Sequence, residues 1–155
     1  MKHIFLNIIF LLSIVFAEGQ TDVDYITFKG DSFIKISSDI IIDFLDQSTE
    51  DWETFMQQND YEKKHEESGL IIYSKGRREQ RFQAIGKNEH NILTIDWYDY
   101  DDKVKTTVEL EESMENESIK KGDNIAYYMH NGHFIVVESK QDNEHIFERV
   151  YVIKK

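Results

Sequence analysis

Apolar residues recur at helical spacing in one segment of the chain. Trp52, Phe55 and Met56 lie at positions i, i+3 and i+4, which places them on one face of an α-helix. Ser48 precedes them and offers a side-chain oxygen that caps the first turn. The pattern therefore predicts an amphipathic helix over Thr49–Asn59.

Most of the remaining chain consists of short apolar or alternating runs separated by glycine and polar residues, which is typical of strands. Lys103–Glu111 alternates between apolar and polar side chains and predicts a half-buried strand. The polar segment Met114–Asp123 predicts a mobile loop. Ser38–Asp46 fits either a buried strand or a short helix. The other predicted strands of this region are Asp24–Phe28, Phe33–Ser37, Tyr61–His65, Leu70–Ser74, Arg81–Ile85 and Asn91–Tyr98.

The C-terminal third predicts a three-stranded antiparallel meander. Asn131-Gly132 is the dipeptide best suited to a two-residue type I′ hairpin turn, and this turn makes His130 the direct partner of His133. The pairing of all residues further from the turn follows from that register. The three predicted strands are Asn124–His130, His133–Lys140 and His145–Lys154.

Both faces of this predicted meander are apolar. One face holds Ala126, Tyr128, Ile135 and Val137, and the other holds Ile125, Tyr127, Met129, Phe134 and Val136. An antiparallel sheet with one solvated face normally alternates between apolar and polar residues, so both faces of this sheet require cover. Either the sheet curls and packs on itself, or one face binds another molecule.

These elements predict an α+β fold, in which one main amphipathic helix packs on a curved antiparallel sheet of about six to eight strands. The alternative is an all-β barrel with the helix as a lid. The predicted core residues are Trp52, Phe55, Met56, Ile71, Ile95, Ile135, Val137 and Val150.

Residues 1–17 have the order of a secretory signal peptide. Lys2 precedes an apolar run over Ile4–Phe16, and Ala17 supplies a small residue of the kind that signal peptidases read. As a helix this run spans about 20 Å, which is short of a hydrocarbon core about 30 Å thick. We predict cleavage after Ala17. Residues 18–155 then form a single domain that is secreted or periplasmic and does not insert into the membrane.

Composition narrows the classes of function. The chain of 155 residues carries 18 Lys and Arg against 30 Asp and Glu, a net charge of -12, which argues against nucleic acid and favours a basic protein partner. It contains no Cys, which excludes thiol nucleophiles and disulfides. No nucleotide-binding or Gly-x-Ser-x-Gly motif is present, and no cofactor is predicted.

The sequence therefore predicts an exported acidic binding or inhibitory module without catalytic activity. Its partner is a basic protein or an apolar small ligand. The alternative is a hydrolase that depends on a metal ion or on paired carboxylates.

His130 and His133 are the candidate metal ligands. Direct partners in a hairpin have Cβ atoms about 5 Å apart, close enough for two imidazoles to bind Zn²⁺ or Cu²⁺. His145 lies about 23 Å away at the far end of the neighbouring strand, so we predict that it is not a ligand. The competing interpretation is a plain solvent-exposed turn.

Three further motifs offer weaker candidates. Arg77, Arg78 and Arg81 form the densest basic run and could bind an anionic group or an acidic patch of a partner, although the sequence favours a solvated loop between strands. An acidic cluster offers oxygen ligands for Ca²⁺ without the spacing of an EF-hand. Its members are Asp96, Asp99, Asp101 and Asp102. Asn116 begins a glycosylation sequon.

Overall fold

The strands of the protein form two antiparallel sheets. The computed structural model describes residues 23–28, 30–67, 69–77, 81–90, 92–99, 106–142 and 145–154, so the predicted signal peptide lies outside the described residues. Strands β1 (Tyr25–Phe28) and β2 (Asp31–Ile34) pair with each other, and the remaining strands form an eight-stranded sheet in the order β3-β4-β5-β6-β10-β9-β8-β7. These eight strands are β3 (Glu62–Glu67), β4 (Leu70–Arg77), β5 (Arg81–Asn88), β6 (Ile92–Asp99), β7 (Ser118–Lys121), β8 (Ile125–His130), β9 (His133–Asp142) and β10 (His145–Lys154).

The predicted antiparallel architecture with a few helices is confirmed, and the barrel alternative is wrong. Each neighbouring pair of strands in the larger sheet is antiparallel. Strands β3 and β7 form its two edges and do not pair with each other, so the sheet is open. Each edge strand contains an irregularity in its pairing, between Lys63 and His65 in β3 and between Ser118 and Lys120 in β7.

Along the chain, two consecutive helices follow the strands of the small sheet and precede those of the large sheet. Helix α1 (Ser38–Asp46) settles the segment that the sequence left open, and the Ser37 hydroxyl caps it by accepting a hydrogen bond from the Ile40 amide. Helix α2 (Thr49–Gln58) confirms the predicted amphipathic helix. Its cap is Ser48, whose hydroxyl oxygen lies 3.1 Å from the Asp51 amide nitrogen.

The region after β6 departs from the prediction. Lys103–Glu111 was predicted to be a strand, but its described part belongs to helix α3 (Thr106–Ser113). Residues 103–105 lie outside the described residues. The exposed fractions of Leu110 and Met114 are 1% and 0%. Residues four positions apart lie on the same side of a helix, so this burial follows helical spacing. The predicted loop Met114–Asp123 is also wrong, because a 3₁₀ turn (Glu115–Glu117) and strand β7 occupy most of it.

The predicted meander is confirmed down to its register. Strand β8 pairs with β9 from His130 opposite His133 to Ile125 opposite Glu138, and β9 pairs with β10 in turn. Asn131 and Gly132 have φ angles of 47° and 79°, as a type I′ turn requires.

One face of the large sheet shares a buried core with α1 and α2; we call it the inner face. The Trp52 ring meets the Tyr73 ring edge-on with 5.5 Å between centroids. Gln57 Nε2 of the same helix donates to the Tyr73 hydroxyl at 2.9 Å. Among the predicted core residues, Phe55 and Ile71 are only partly buried. The others are buried: Trp52, Met56, Ile95, Ile135, Val137 and Val150.

A buried lysine joins the sheet to α1. Lys87 lies on β5 with an exposed fraction of 2%, and its Nζ donates to the carbonyl oxygens of Phe44 and Gln47. Helix α1 has no basic residue in its last turn. Because the C-terminal end of a helix carries partial negative charge, Lys87 supplies the cation that the helix sequence lacks.

A second polar contact joins β2 to β5. Gln83 Nε2 donates to the Ile34 carbonyl oxygen at 2.9 Å, and the Tyr61 hydroxyl donates to Gln83 Oε1. The same hydroxyl accepts from the Ile34 amide at 3.1 Å. Burial raises the pKa of Tyr61, so this hydroxyl stays protonated and keeps its donor role.

Candidate functional site

The second face of the large sheet, which we call the outer face, differs sharply in exposure from the inner face. On β6, β8, β9 and β10, most of the described residues of the inner face are buried. Those of the outer face alternate with them and are half-buried or exposed. Among the residues whose burial the structure describes, the outer-face residues on these four strands are Ile92, Thr94, Asp96, Ile125, Tyr127, Met129, Phe134, Val136, Glu138, Arg149, Tyr151 and Ile153.

An aromatic and aliphatic patch lies on strands β8, β9 and β10 of the outer face. Phe134 has Met129 as its partner on β8 and Ile153 as its partner on β10. Met129 and Ile153 are 42% and 48% exposed, which is unusual for large apolar side chains in a sheet. The Tyr127 ring stacks on the Phe134 ring with 6.0 Å between centroids.

The apolar patch continues along the strands to a charged pair. Arg149 donates from Nε and from an Nη atom to the two Asp96 carboxylate oxygens, at 2.5 and 2.7 Å. The guanidinium also lies 5.5 Å from the centre of the Tyr151 ring. Hydrogen bonding to Asp96 raises the pKa of Arg149. The Asp96 carboxylate of the acidic cluster is therefore occupied by an arginine, and Asp101 and Asp102 lie outside the described residues.

The two histidines of the hairpin are more enclosed than expected. His133 is 8% exposed and the His130 side chain is 13% exposed, because both lie toward the inner face. The expectation of a solvent-exposed pair is therefore wrong. His130 Nδ1 lies 3.0 Å from both carboxylate oxygens of Glu117. The sequence pattern did not indicate this partner, because Glu117 was predicted to lie in a loop.

The metal site at His130 and His133 stays a prediction. Within the described ranges, no group of three or more His, Asp or Glu side chains is arranged to hold a metal ion. Such a site would have His130 and His133 as its two nitrogen donors, with Glu117 held against the first.

The basic run lies at the end of one hairpin. Arg77 ends β4 and is exposed, and Arg81 is its direct partner at the start of β5. The side chain of Arg81 is outside the described part of the structure, as is all of Arg78. Binding of an anionic group here stays a prediction.

The sequence pattern did not predict the cleft between α1 and α2. Its volume is about 280 Å³, and its walls are the side chains of Val23, Ile40, Phe44 and Phe55. Asp43, Gln47 and Asp51 also line it, and no Lys, Arg or His of the described residues does. The sequence predicted helix α2 and left α1 open between a strand and a helix, and the placement of the two helices depends on Lys87 and on the buried core.

Comparisons with protein families, with curated proteins and with solved structures found no match to this chain. Of the helices in the described ranges, none has both the length and the apolar character needed to cross a membrane.

Proposed function

We propose that this protein is an exported, non-catalytic binding module that docks on a basic protein partner through the outer face of its sheet. One observation carries the proposal: within the described part of the chain, the outer face combines large apolar side chains with substantial exposure at Met129 and Ile153. Exposed apolar patches of this kind are typical of interaction sites.

The chemistry of the face favours a protein over a small apolar ligand. Small-molecule sites are concave, whereas the outer face presents its side chains in rows across neighbouring strands. Tyr, Phe, Met and Arg are enriched at the centres of protein interfaces, and the patch consists largely of these types. The Arg149–Asp96 pair at its end adds polar groups that fix the orientation of a partner.

Charge favours a basic partner. The net charge of -12 attracts a cationic protein over a distance of several ångströms and accelerates its encounter. Salt screens such attraction, so the association rate constant should fall as ionic strength rises.

Two parts of the proposal come from the sequence pattern. The signal-peptide order of residues 1–17 supports a location outside the cytoplasm. We also propose that the sheet curves around the main helix α2, which turns the outer face away from the core. The edge-on contact of Trp52 with Tyr73 supports this arrangement.

The first experiment identifies the partner through the outer face. A photoreactive benzoylphenylalanine replaces Met129, and a matched control carries it at Tyr25, which is also exposed but belongs to the other sheet. We expect cross-links in the producing cells from position 129 that are absent from position 25. Identical cross-links from both positions, or none, would contradict the proposal.

The second experiment uses the purified, identified partner. Ile153→Asn removes an exposed apolar side chain from the outer face, and Tyr25→Asn is the control. Loss of one buried aliphatic side chain, about 1.5–3 kcal/mol, should raise Kd about tenfold or more for Ile153→Asn, while the control stays within about twofold. Circular dichroism and urea unfolding confirm that both variants are folded. An unchanged Kd for Ile153→Asn would refute the role of the outer face.

A further inference from the structure

Edge strand β7 carries an exposed apolar residue at its pairing irregularity. Ile119 is 58% exposed. Ser118 before it pairs with Tyr128. The next pair joins Lys120 to Tyr127, so Ile119 is an extra residue in β7 with no direct partner on β8. One extra residue in one strand of an antiparallel pair is a β-bulge, and a bulge can redirect a side chain.

The neighbours of Ile119 show which face of the sheet it occupies. Ser118 is the partner of Tyr128, a buried residue of the inner face, so Ile119 after it lies on the outer face. Lys121 also belongs to the inner side, because its Nζ lies 5.8 Å from the centre of the Tyr128 ring. Lys120 before it therefore lies on the outer face as well. The bulge thus places two successive side chains, Ile119 and Lys120, on the outer face.

A row of apolar side chains crosses the outer face and leads to Ile119. Its members are direct partners on neighbouring strands: Ile92 on β6, Ile153 on β10, Phe134 on β9 and Met129 on β8. Ile119 on β7 extends this row to the edge of the sheet. Neighbouring strands lie about 4.8 Å apart, so the five residues form a strip about 19 Å long, which we call the apolar strip.

A charged row runs parallel to the apolar strip. Asp96, Arg149 and Glu138 are direct partners on β6, β10 and β9. Each lies four residues along its strand from a member of the apolar strip, a distance of about 13 Å. Two carboxylates and one guanidinium leave this row with one excess negative charge, which favours a cationic group of a partner on this side of the strip.

We infer that the docking surface for the basic partner extends along the apolar strip to the edge of the sheet, with Ile119 as its outermost apolar contact. This inference rests on the proposed function and adds the chemistry that the partner presents. The partner carries an apolar strip about 19 Å long, with a lysine or arginine about 13 Å to one side of it. Because the charged row lies on one side of the strip only, these two features fix the orientation of the bound partner.

NMR of the free protein tests the placement of Ile119 without any partner. Nuclear Overhauser effects are expected from the Ile119 methyl groups to the side chains of Tyr127 or Met129, which lie on the outer face of β8. Contacts of these methyl groups with Tyr128 or Ala126 instead would place Ile119 on the inner face and overturn the inference.

Cross-linking in the producing cells tests whether the partner reaches the edge. Benzoylphenylalanine replaces Ile119, and the matched control carries it at Lys121, which is exposed on the same strand but belongs to the inner side. We expect position 119 to give the same adduct as position 129, and position 121 to give none. An adduct from position 129 alone, or an equal one from position 121, would overturn the extension to the edge and leave the proposed function intact. The absence of adducts from 119 and 129 would contradict both.

Binding to the purified protein captured from position 129 tests the two features separately. Ile119→Asn should raise Kd about fivefold through the lost apolar contact. Glu138→Gln should raise it about fivefold as well, whereas Glu89→Gln, which removes an equal charge from a 77% exposed side chain between β5 and β6, should stay within about twofold. An unchanged Kd in Ile119→Asn, or equal effects of the two glutamate variants, would overturn the inference. Circular dichroism shows in each case that the variant is folded.

Discussion

Replacing Lys87 with methionine removes the ammonium group that joins the C-terminal end of α1 to strand β5. Methionine keeps most of the aliphatic volume, so the change is mainly electrostatic. In the folded protein it leaves the carbonyl oxygens of Phe44 and Gln47 without the lysine donor. Lys87 is 2% exposed, and water therefore does not replace the ammonium easily.

The expected loss follows from these contacts. A hydrogen bond from a charged donor contributes about 1.5–3 kcal/mol, and Lys87 makes two of them. The substitution recovers part of this free energy, because the cost of burying an ammonium group disappears. We expect a net loss of about 3 kcal/mol in the free energy of unfolding. In a domain of this size, that corresponds to a decrease in Tm of about 9 °C.

Urea denaturation measures the loss, and hydrogen exchange locates it. The amides of α1 should lose protection before those of β5, because the helix end is released while the strand keeps its pairing with β4 and β6. Lys64→Met is the control, since the Lys64 side chain is 52% exposed and solvent screens its ion pair with Glu62. A Lys87→Met variant as stable as the wild type would refute the reasoning.

Three further substitutions test the structure at single positions. Gly86→Ala should destabilise the protein by about 1–3 kcal/mol in urea unfolding, because the new Cβ would lie 2.7 Å from Thr94 Oγ1; adding Thr94→Ala should restore most of the loss, and failure of this rescue would place the strain elsewhere. Gly132→Ala should cost about 1 kcal/mol by thermal unfolding, since its φ of +79° disfavours a side chain and no atom lies within 4 Å; a larger loss would show a contact at this turn. Asp43→Asn should stabilise the protein near neutral pH, because the raised pKa of Asp43 means that folding disfavours its ionised form. The gain should disappear as pH falls through that pKa toward the ordinary value of 3.8, so a urea midpoint gain independent of pH would contradict this cause.

Local chemistry explains which parts of the fold were predictable. Asn131-Gly132 admits positive φ at both positions, so the hairpin and its register followed from two residues. Ser48 and the stripe that includes Trp52 defined α2 in the same way. Lys103–Glu111 failed because its alternation fits a strand, whereas the burial of Leu110 and Met114 follows helical spacing. The spacing of Leu110 and Met114 was the signal in the sequence that could have indicated a helix.

Features that depend on distant parts of the chain were not predictable. The apolar character of both sheet faces was visible in the sequence, but which face the helices cover depends on the order of eight strands. In the sequence, nothing distinguishes Lys87 from any other strand lysine, because its role depends on its contact with the end of α1. The cleft likewise exists only because two helices and Val23 meet. The composition favoured a binding module, and the structure adds the surfaces on which such binding is proposed.

The two edge strands of the open sheet, β3 and β7, have features that hinder aggregation. Strand β3 presents exposed Lys63 and Lys64, and β7 is only four residues long and carries Lys120 and Lys121. A pairing irregularity interrupts each edge as well. A further chain adding a strand at either edge would face lysine charges and a broken row of hydrogen-bonding groups, which hinders growth into cross-β fibrils. The protein can therefore keep one broad face of its sheet apolar without that sheet extending from molecule to molecule.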